Sequence, residues 1–583
     1  MDNEQVAEIL EEIGTLLELK GENPFKTRAY QNAARTIEGI HEPLASLVAE
    51  DRLTGIKGLG DALRQKITTL VETGKLPYFE ELKASIPPGL IEMTEIPGLG
   101  PKKVKALHDE LGIESIDALE TACEEDRVAG LKGFGKKTQQ KIIDGIEFRR
   151  KFSGQHHLHS AWITAEPILE SLRQHPDVIR CSVAGSLRRW KETIGDLDFI
   201  ASSRAPENVI DFFTNQEGIL NIVAKGDTKA SVILEDGLQA DLRVVMDKEY
   251  PFTLAYFTGS KEHNIVMRQR AIDRGLRLNE YGLYKSKTET HDSKLRVKCT
   301  SEEDIFRALD LELIPPELRE NRGEFEAAEK GELPNLVEWT DLRGSLHNHS
   351  NWSDGKESLE EVAAAAYDLG CSYWAITDHS QSSFIANGLD INRLTRQINE
   401  IEHINQLYQD AERPYRVLSG SEVDILTGGR LDFPDDILAQ LDVVVASIHQ
   451  VFSQSEAEMT KRLIGAAENR YVHMLGHITG RLLLQRDAYK LNQHAVIDAC
   501  AETGTWIELN ANPWRFDMDW RLWQYAKEKG VKCVINTDSH RFEHQQYLRF
   551  GAQIARKGWL TKRDVINTLS LKRLRTALLW KRK

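Results

Sequence analysis

Residues 185–200 read GSLRRWKETIGDLDFI. In an extended segment side chains two apart share a face, so Asp196 and Asp198 of DLDF project together. Farther on, LQADLRVV (238–245) alternates in the same way and brings a third acid, Asp241. Carboxylates a few ångströms apart resist joint ionisation, and one keeps a proton unless a cation lies between them. A divalent pair removes that penalty. Two Mg²⁺ ions held by three carboxylates activate a 3′-hydroxyl and stabilise a departing pyrophosphate.

The turn ahead of the acids fits the same chemistry. Gly185 and Ser186 follow the apolar run VIRCSVA at a strand-to-helix turn, where an amide and a hydroxyl meet a phosphate oxygen. Arg188 and Arg189 come next, within reach of that anion. An exposed edge strand with its acids in water is the bland reading of DLD alone. The Gly-Ser turn and the third acid on a matching strand weigh against it.

The chain has 583 residues, roughly three to five domains' worth. With 41% hydrophobic and 28% charged residues it is an ordinary globular composition. No apolar run approaches a membrane span, and the acidic, amphipathic start MDNEQVAEILEEIG is no signal peptide. Six scattered cysteines (Cys123, Cys181, Cys299, Cys371, Cys500, Cys533) form no CxxC pair and read as reduced thiols of a cytoplasmic protein. A net charge of -15 excludes a non-specific nucleic-acid coat, so any nucleic-acid contact is local. The basic C-terminal stretch LTKRDVINTLSLKRLRTALLWKRK reads as a solvated helix face, with a polyanion-facing edge as the alternative.

Three segments of the first third repeat a pattern: TGIKGLGDALRQKI (54–67), TEIPGLGPKKVKAL (94–107) and AGLKGFGKKTQQKI (129–142). Each is a Gly-apolar-Gly turn (Gly58 and Gly60, Gly98 and Gly100, Gly133 and Gly135) leading into a basic helical stretch. Such glycines bring backbone N–H groups close to a phosphate, and the helix adds its N-terminal dipole. One such turn is more often a helix cap. Three in register resemble the helix-hairpin-helix motif, which grips DNA backbone rather than sequence.

GS-x-RR, GDLD, ADLR and YFTGSKEHN (256–264) together resemble a family X DNA polymerase over about residues 1–318. NPFKTRAY (23–30) resembles an N-terminal signature of the bacterial members. The resemblance implies that Asp196, Asp198 and Asp241 are the catalytic metal-binding triad for two Mg²⁺ or Mn²⁺ ions. It implies Gly185, Ser186 and Arg189 at the triphosphate with Gly195 nearby, and Tyr256, Phe257 and Gly259 under the nucleotide sugar. Asn264 matches a contact to the base edge and Arg268 one to the template strand. Lys66 falls at the Schiff-base position of the family's lyase region. Two positions depart: Ala62 stands where a phosphate-binding lysine neighbours that position, and Ile194 where vertebrate relatives carry a serine touching the triphosphate.

The last third is rich in histidine. His347 and His349 share one strand face in GSLHNHS, and Asp354 follows in a turn. YWAITDHS ends in His379, LSGSEVDIL holds Glu422, VVVASIHQ ends in His449, MLGHITGR holds His477, and CVINTDSH gives Asp538 and His540. Helical patterns separate these strands. A metal-ligating residue at each strand's C-terminal end is the layout of a β/α-barrel site. Imidazole and carboxylate suit Zn²⁺, Mn²⁺ or Fe²⁺, and the lack of cysteine disfavours a structural zinc. His263, His473 and His494 read instead as satisfied core or surface residues. The constellation resembles the PHP (polymerase and histidinol phosphatase) domain over about 341–583. That resemblance implies a distorted barrel with up to three metal ions held by the nine residues just named. Arg481, after the GHITG turn, is positioned to bind a phosphate; Lys356 and other basic residues nearby read equally as solvated surface.

The expected architecture is multidomain: α-helical N-terminal helix-hairpin-helix domains, an α/β nucleotidyltransferase palm with a thumb, and a C-terminal distorted β/α barrel. The boundaries expected are 1–88 (lyase-like, DNA-binding), 89–150 (fingers), 151–247 (palm), 248–318 (thumb), 319–340 (linker) and 341–583 (PHP). The expected function is gap-filling DNA synthesis in base excision repair, with a metal-dependent 3′-5′ exonuclease in the PHP domain and abasic-site cleavage or lyase activity as additions. Gapped or primed duplex DNA and deoxynucleoside triphosphates are the expected partners of a monomer with no membrane contact. The alternatives are a DNA-tethered phosphoesterase with little polymerase activity, or a small-molecule phosphatase in the C-terminal third.

Overall fold

The two alternating stretches around the acids fold as neighbouring parallel strands, Asp196–Ser203 and Gln239–Val245, with Asp198 opposite Asp241. Ala240, Leu242 and Val244 point into the core while Gln239, Asp241 and Arg243 face the other way, so period two sorts the acids from the apolar side chains. These strands lie inside a five-stranded sheet. Val178–Val183 flanks one side, and Lys229–Leu234 and Ile219–Lys225 extend the other, all three pairing antiparallel. Helices Leu158–Gln174 and Pro206–Thr214 bury Leu169, Leu172, Ile210 and Phe213 against it. This computed structural model describes all residues except 2, 39, 41, 97, 153, 287–291, 293, 582 and 583. It divides into two units, Met1–Ser153 and Gly154–Lys583.

The first unit is helical, and one apolar core runs through it from Val6 to Ile146. Its three glycine turns carry the repeat. Gly58, Gly98 and Gly133 have φ of +99°, +82° and +91°, a region that L side chains avoid. Each turn delivers the chain into a helix: Asp61–Thr73, Pro101–Leu111 and Gly135–Phe152. No atom lies within 4 Å of a Cβ built at Gly60, Gly98, Gly100, Gly133 or Gly135, so these turns stand open.

In the second unit, helices Tyr250–Thr258, Lys261–Asp273 and Glu302–Ala308 bury Phe252, Met267, Ile305 and Phe306 in a core of their own. Residues 319–340, expected as a linker, are folded. They contain helix Glu324–Lys330, and Phe325 and Leu336 join that same core. The charges there are paired rather than solvated. Buried Glu324 accepts from the backbone N–H of Asn321 and of Arg322 and faces His263, and buried Arg319 pairs with Glu302 at 2.7 Å.

The last third is a curled sheet of six parallel strands in chain order: Tyr373–Ile376, Arg416–Asp424, Val443–Ser447, Met474–Leu475, Trp506–Asn510 and Cys533–Asn536. Parallel neighbours need crossover segments, and the helical stretches read between the strands supply them. Both sheet edges hydrogen-bond to one segment, 345–349. Ala375 N and Thr377 N donate to Ser345 O and Asn348 O, while Asp538 N donates to His347 O and His349 N to Ser539 O. That double bonding curls the sheet into a distorted barrel. The basic C-terminal stretch forms helix Leu571–Lys581, with Leu574 and Leu578 buried and Lys572, Arg573 and Arg575 exposed; its last two residues lie outside the described ones. All six cysteines are free thiols. Among the described residues no helix is long and apolar enough to cross a membrane.

Two candidate metal centres

Oxygens of Asp196, Asp198 and Asp241 lie within 4.8 Å of one another. Burial, reinforced by Asp196 and Asp241, pushes Asp198 up to about 7; burial and Asp241 also raise Asp196. Ser231 Oγ and Gln239 Nε2 donate to the two oxygens of Asp241. Three acids held this close, one forced to keep a proton near neutrality, form a site that a divalent cation completes.

Gly185 closes the approach. Its φ is +58°, and a Cβ there would sit 2.3 Å from Asp198 Oδ2. Only glycine lets this turn come so near the carboxylate. Beside it Ser186 Oγ is buried with no hydrogen-bond partner, a donor aimed at something the protein does not supply. The two arginines divide. Arg188, expected to reach the same anion, is spent on structure: it pairs with Glu302 at 2.5 Å and donates to Thr258 Oγ1 at 2.6 Å. Arg189 donates through Nε to Glu320 at 3.1 Å and through Nη1 to Thr258 O. Gly195 backs on Gln155, whose Nε2 would be 2.9 Å from an added Cβ. Tyr256 and Phe257 meet edge-on at 5.2 Å, Gly259 has φ +69°, and Ile194 is buried. Asn264 Nδ2 donates to Tyr256 O at 2.7 Å, and Tyr256, Asn264 and Arg268 line one small cleft.

In the helical unit, Lys66 Nζ lies 4.7 Å from the centroid of the Tyr78 ring. Ala62, one turn earlier, is exposed and offers no cation for a phosphate beside it.

The second centre lies at the C-terminal ends of the parallel strands. Three overlapping groups have ligand atoms within 4.8 Å: His349, Asp354, His379 and His540; His347, His349 and Glu422; His379, Glu422 and His449. His477 Nε2 reaches Glu422 Oε1 at 2.9 Å, and Asp538 Oδ1 lies 3.2 Å from His349 Nε2. All nine expected residues therefore converge. His347 Nε2, His349 Nδ1, His379 Nδ1 and both Glu422 oxygens are buried and lack ordinary hydrogen-bond partners. Buried lone pairs and carboxylate oxygens facing one another are the donor set a divalent cation requires. A cavity of about 590 Å³ opens onto them, and its mouth carries Phe384 and Ile385, 85% and 106% exposed.

The groups that orient these histidines escaped the sequence reading. An ionised carboxylate only accepts, so His347 Nδ1 donates to Glu508 Oε1 (2.7 Å) and His449 Nδ1 to Asp424 Oδ1 (2.5 Å), each freeing Nε2 for the cluster. His540 Nδ1 likewise donates to Asp538 O at 2.9 Å. Asp378 fixes the loop bearing Asp354 by accepting from Ser350 N, Ser350 Oγ and Ser353 Oγ. Asp424 carried a signal, standing two residues after Glu422 on the same strand face. Arg481 does not face the cavity as expected. It ties Asp519 (2.9 Å) to the carbonyls of Arg515 and Phe516, and Arg515 is the guanidinium that lines the cavity. His263 and His473 are buried and hydrogen-bonded, and His494 is exposed, so none joins a ligand cluster.

Comparison with known proteins follows this division of the chain. Residues 1–76 match a helix-hairpin-helix domain, 90–147 a SAM-like helix-hairpin-helix tandem, 253–320 the DNA polymerase beta thumb and 345–512 the PHP domain. The chain is 40% identical over 574 residues to the DNA polymerase/3′-5′ exonuclease PolX of Bacillus subtilis (strain 168), covering 98% of each. A probable phosphatase of Thermoanaerobacter sp. (strain X514) is 28% identical over 38% of this chain and 89% of its own. A solved structure of Leishmania infantum polymerase beta, a ternary P/T complex, aligns at 24% identity over 40% of this chain and 99% of that one, with a TM-score of 0.27. Likeness over the full length, with all of these regions in one chain, fixes the family: the chain belongs to the bacterial family X DNA polymerases that carry a C-terminal PHP domain.

Proposed function

We propose that the chain extends DNA primers at the aspartate triad and removes 3′-terminal nucleotides at the histidine-rich centre, in short-gap repair. Asp196, Asp198 and Asp241 hold two Mg²⁺ or Mn²⁺ ions; His347, His349, Asp354, His379, Glu422, His449, His477, Asp538 and His540 hold up to three Mn²⁺, Zn²⁺ or Fe²⁺ ions. Bound there, such cations stabilise charge on the reacting phosphate and provide a nucleophile near neutral pH.

The protein's own groups do the rest. Ser186 Oγ and the free edge of Arg189 receive the triphosphate of the incoming nucleotide. Gly185 keeps that turn close to Asp198, so phosphate and carboxylate meet the same cations. Tyr256, Phe257 and Gly259 floor the sugar, Asn264 reads the base edge, and Arg268 holds the template strand. The open glycine turns of residues 1–88 and 89–150 grip backbone phosphates of gapped or primed duplex; the palm spans 151–247, the thumb 248–318 and the PHP region 341–583. A cytoplasmic monomer, its thiols reduced, is the working form proposed.

The observation that carries the second activity is the convergence of nine ligand-type residues below an open cavity. The exposed Phe384 and Ile385 at its mouth suit an unpaired base, and they favour a polynucleotide end over a small phosphomonoester. The test is a 5′-labelled gapped duplex with the full chain. Asp198→Ala abolishes extension, and His349→Ala abolishes 3′ shortening. Unchanged extension in Asp198→Ala refutes the polymerase assignment. Cleavage of a phosphomonoester but not of the labelled DNA replaces the nuclease reading with the phosphatase one.

A further inference from the structure

Arg189 belongs to the palm, yet one of its closest neighbours comes from the far end of the chain. Lys557, the last residue of helix Tyr547–Lys557, has no exposed surface. Its Nζ donates to Glu320 Oε1 at 2.6 Å and to the carbonyl of Arg189 at 3.0 Å. The same Glu320 oxygen accepts from Arg189 Nε at 3.1 Å. Burial works against ionising Glu320, but Lys557 and Arg189 together hold its carboxyl below the usual range. Glu317 does not claim the lysine's charge, since Arg556 pairs with it at 2.8 Å. The Lys557 ammonium also lies 4.5 Å from the centroid of the Trp520 ring, which further offsets its burial.

We infer that Lys557, contributed by the C-terminal region, is a positioning residue for the polymerase reaction: by sharing Glu320 it leaves the charge of Arg189 less compensated toward the incoming triphosphate. Arg189 and Glu320 alone are a neutral pair, and a paired guanidinium attracts phosphate weakly. With Lys557 the trio carries one net positive charge beside the Ser186 turn, and the Arg189 carbonyl is fixed as well. A lysine is among the residues least often fully buried, and here a methionine would fill the same space. An interface salt bridge of purely structural value is the competing explanation. This inference rests on the nucleotide-binding role proposed for Arg189.

Single-nucleotide insertion by the full-length protein on a gapped duplex separates the two. Lys557→Met raises the KM for the nucleotide roughly tenfold, the scale of one charge-assisted contact. The KM for DNA stays level and kcat stays within about twofold. Lys557→Arg retains wild-type values. The double variant Lys557→Met/Glu320→Gln returns the nucleotide KM to within about threefold of wild type, because Arg189 is again uncompensated. Nucleotide affinity in a ternary complex with a dideoxy-terminated primer follows the same order. An unchanged nucleotide KM in Lys557→Met overturns the inference. So does a double variant as impaired as the single one, which assigns the lysine to structure alone. Extension persisting in Asp198→Ala would instead indict the palm reading itself.

Discussion

Replacing Glu508 with glutamine changes one atom and tests how the histidine centre is tuned. Glu508 is buried and accepts four hydrogen bonds: Oε1 from His347 Nδ1 (2.7 Å) and Asn536 Nδ2 (2.9 Å), Oε2 from the backbone N–H of His477 (2.7 Å) and Asn510 Nδ2 (3.3 Å). Glutamine puts an NH₂ where one of those oxygens was. In either orientation it meets two donors with a third. The cheapest relief moves the His347 proton from Nδ1 to Nε2, and Nε2 is the nitrogen facing Glu422 at 3.3 Å and Asp538 at 3.6 Å. The lone pair meant for a cation is then masked. Losing one hydrogen bond to a charged group costs about 1.5–3 kcal/mol, so cation affinity falls roughly 10- to 100-fold. Metal-stripped full-length protein, titrated with Mn²⁺ and followed both by equilibrium binding and by 3′ shortening of DNA, reads that shift directly. Primer extension in Mg²⁺ serves as the internal control and stays at wild type. A Mn²⁺ dependence within twofold of wild type would show that the orienting carboxylate is dispensable.

Five further outcomes are expected. With Asp198 held up at about 7, the folded state keeps a proton that the unfolded chain releases near its ordinary pKa. Cation-free protein therefore loses stability as pH rises from about 4 toward 7, and divalent ions remove that slope. Near pH 6.5, cation uptake at the triad therefore releases protons, read by titration calorimetry in buffers of different ionisation enthalpy. Ser186→Ala removes the unpartnered donor and raises the nucleotide KM roughly threefold to tenfold in steady-state insertion assays without moving the KM for DNA. Phe384→Ala slows 3′ shortening of DNA severalfold but leaves hydrolysis of a small phosphodiester unaltered; equal loss on both substrates removes the base contact. If the glycine turns grip phosphates as proposed, binding to gapped duplex weakens steeply with salt, and a flat log–log slope contradicts that grip.

Much of the site was legible because it is built on local periodicity. DLD and QADL alternate with period two, and the parallel register then sets Asp198 opposite Asp241. Eight of the nine candidate ligands of the second centre stand in or at the end of stretches read as strands, and Asp354 follows in a turn. What was not legible depends on partners far along the chain. Nothing near Arg188 says that Glu302, more than a hundred residues away, takes its charge, or that Asp519 does so for Arg481. Composition also cannot tell a solvated charge from a paired one. Residues 319–340 read as a linker, yet Arg319 and Glu324 are buried because Glu302, His263 and two backbone amides answer them. Glu508 stands in WIELN, an apolar strand, where an acid marks a burial that only a partner such as His347 makes tolerable.

Two separate clusters, one of aspartates and one mainly of histidines, are proposed to perform opposite reactions on the same DNA end. The direct measurement is the reciprocal one: Asp198→Ala and His349→Ala, each as full-length protein, on one 5′-labelled gapped duplex with nucleotides and Mn²⁺ present. Products that only shorten are expected with the first and products that only lengthen with the second. Loss of both reactions in either variant, or of neither, would contradict the proposal.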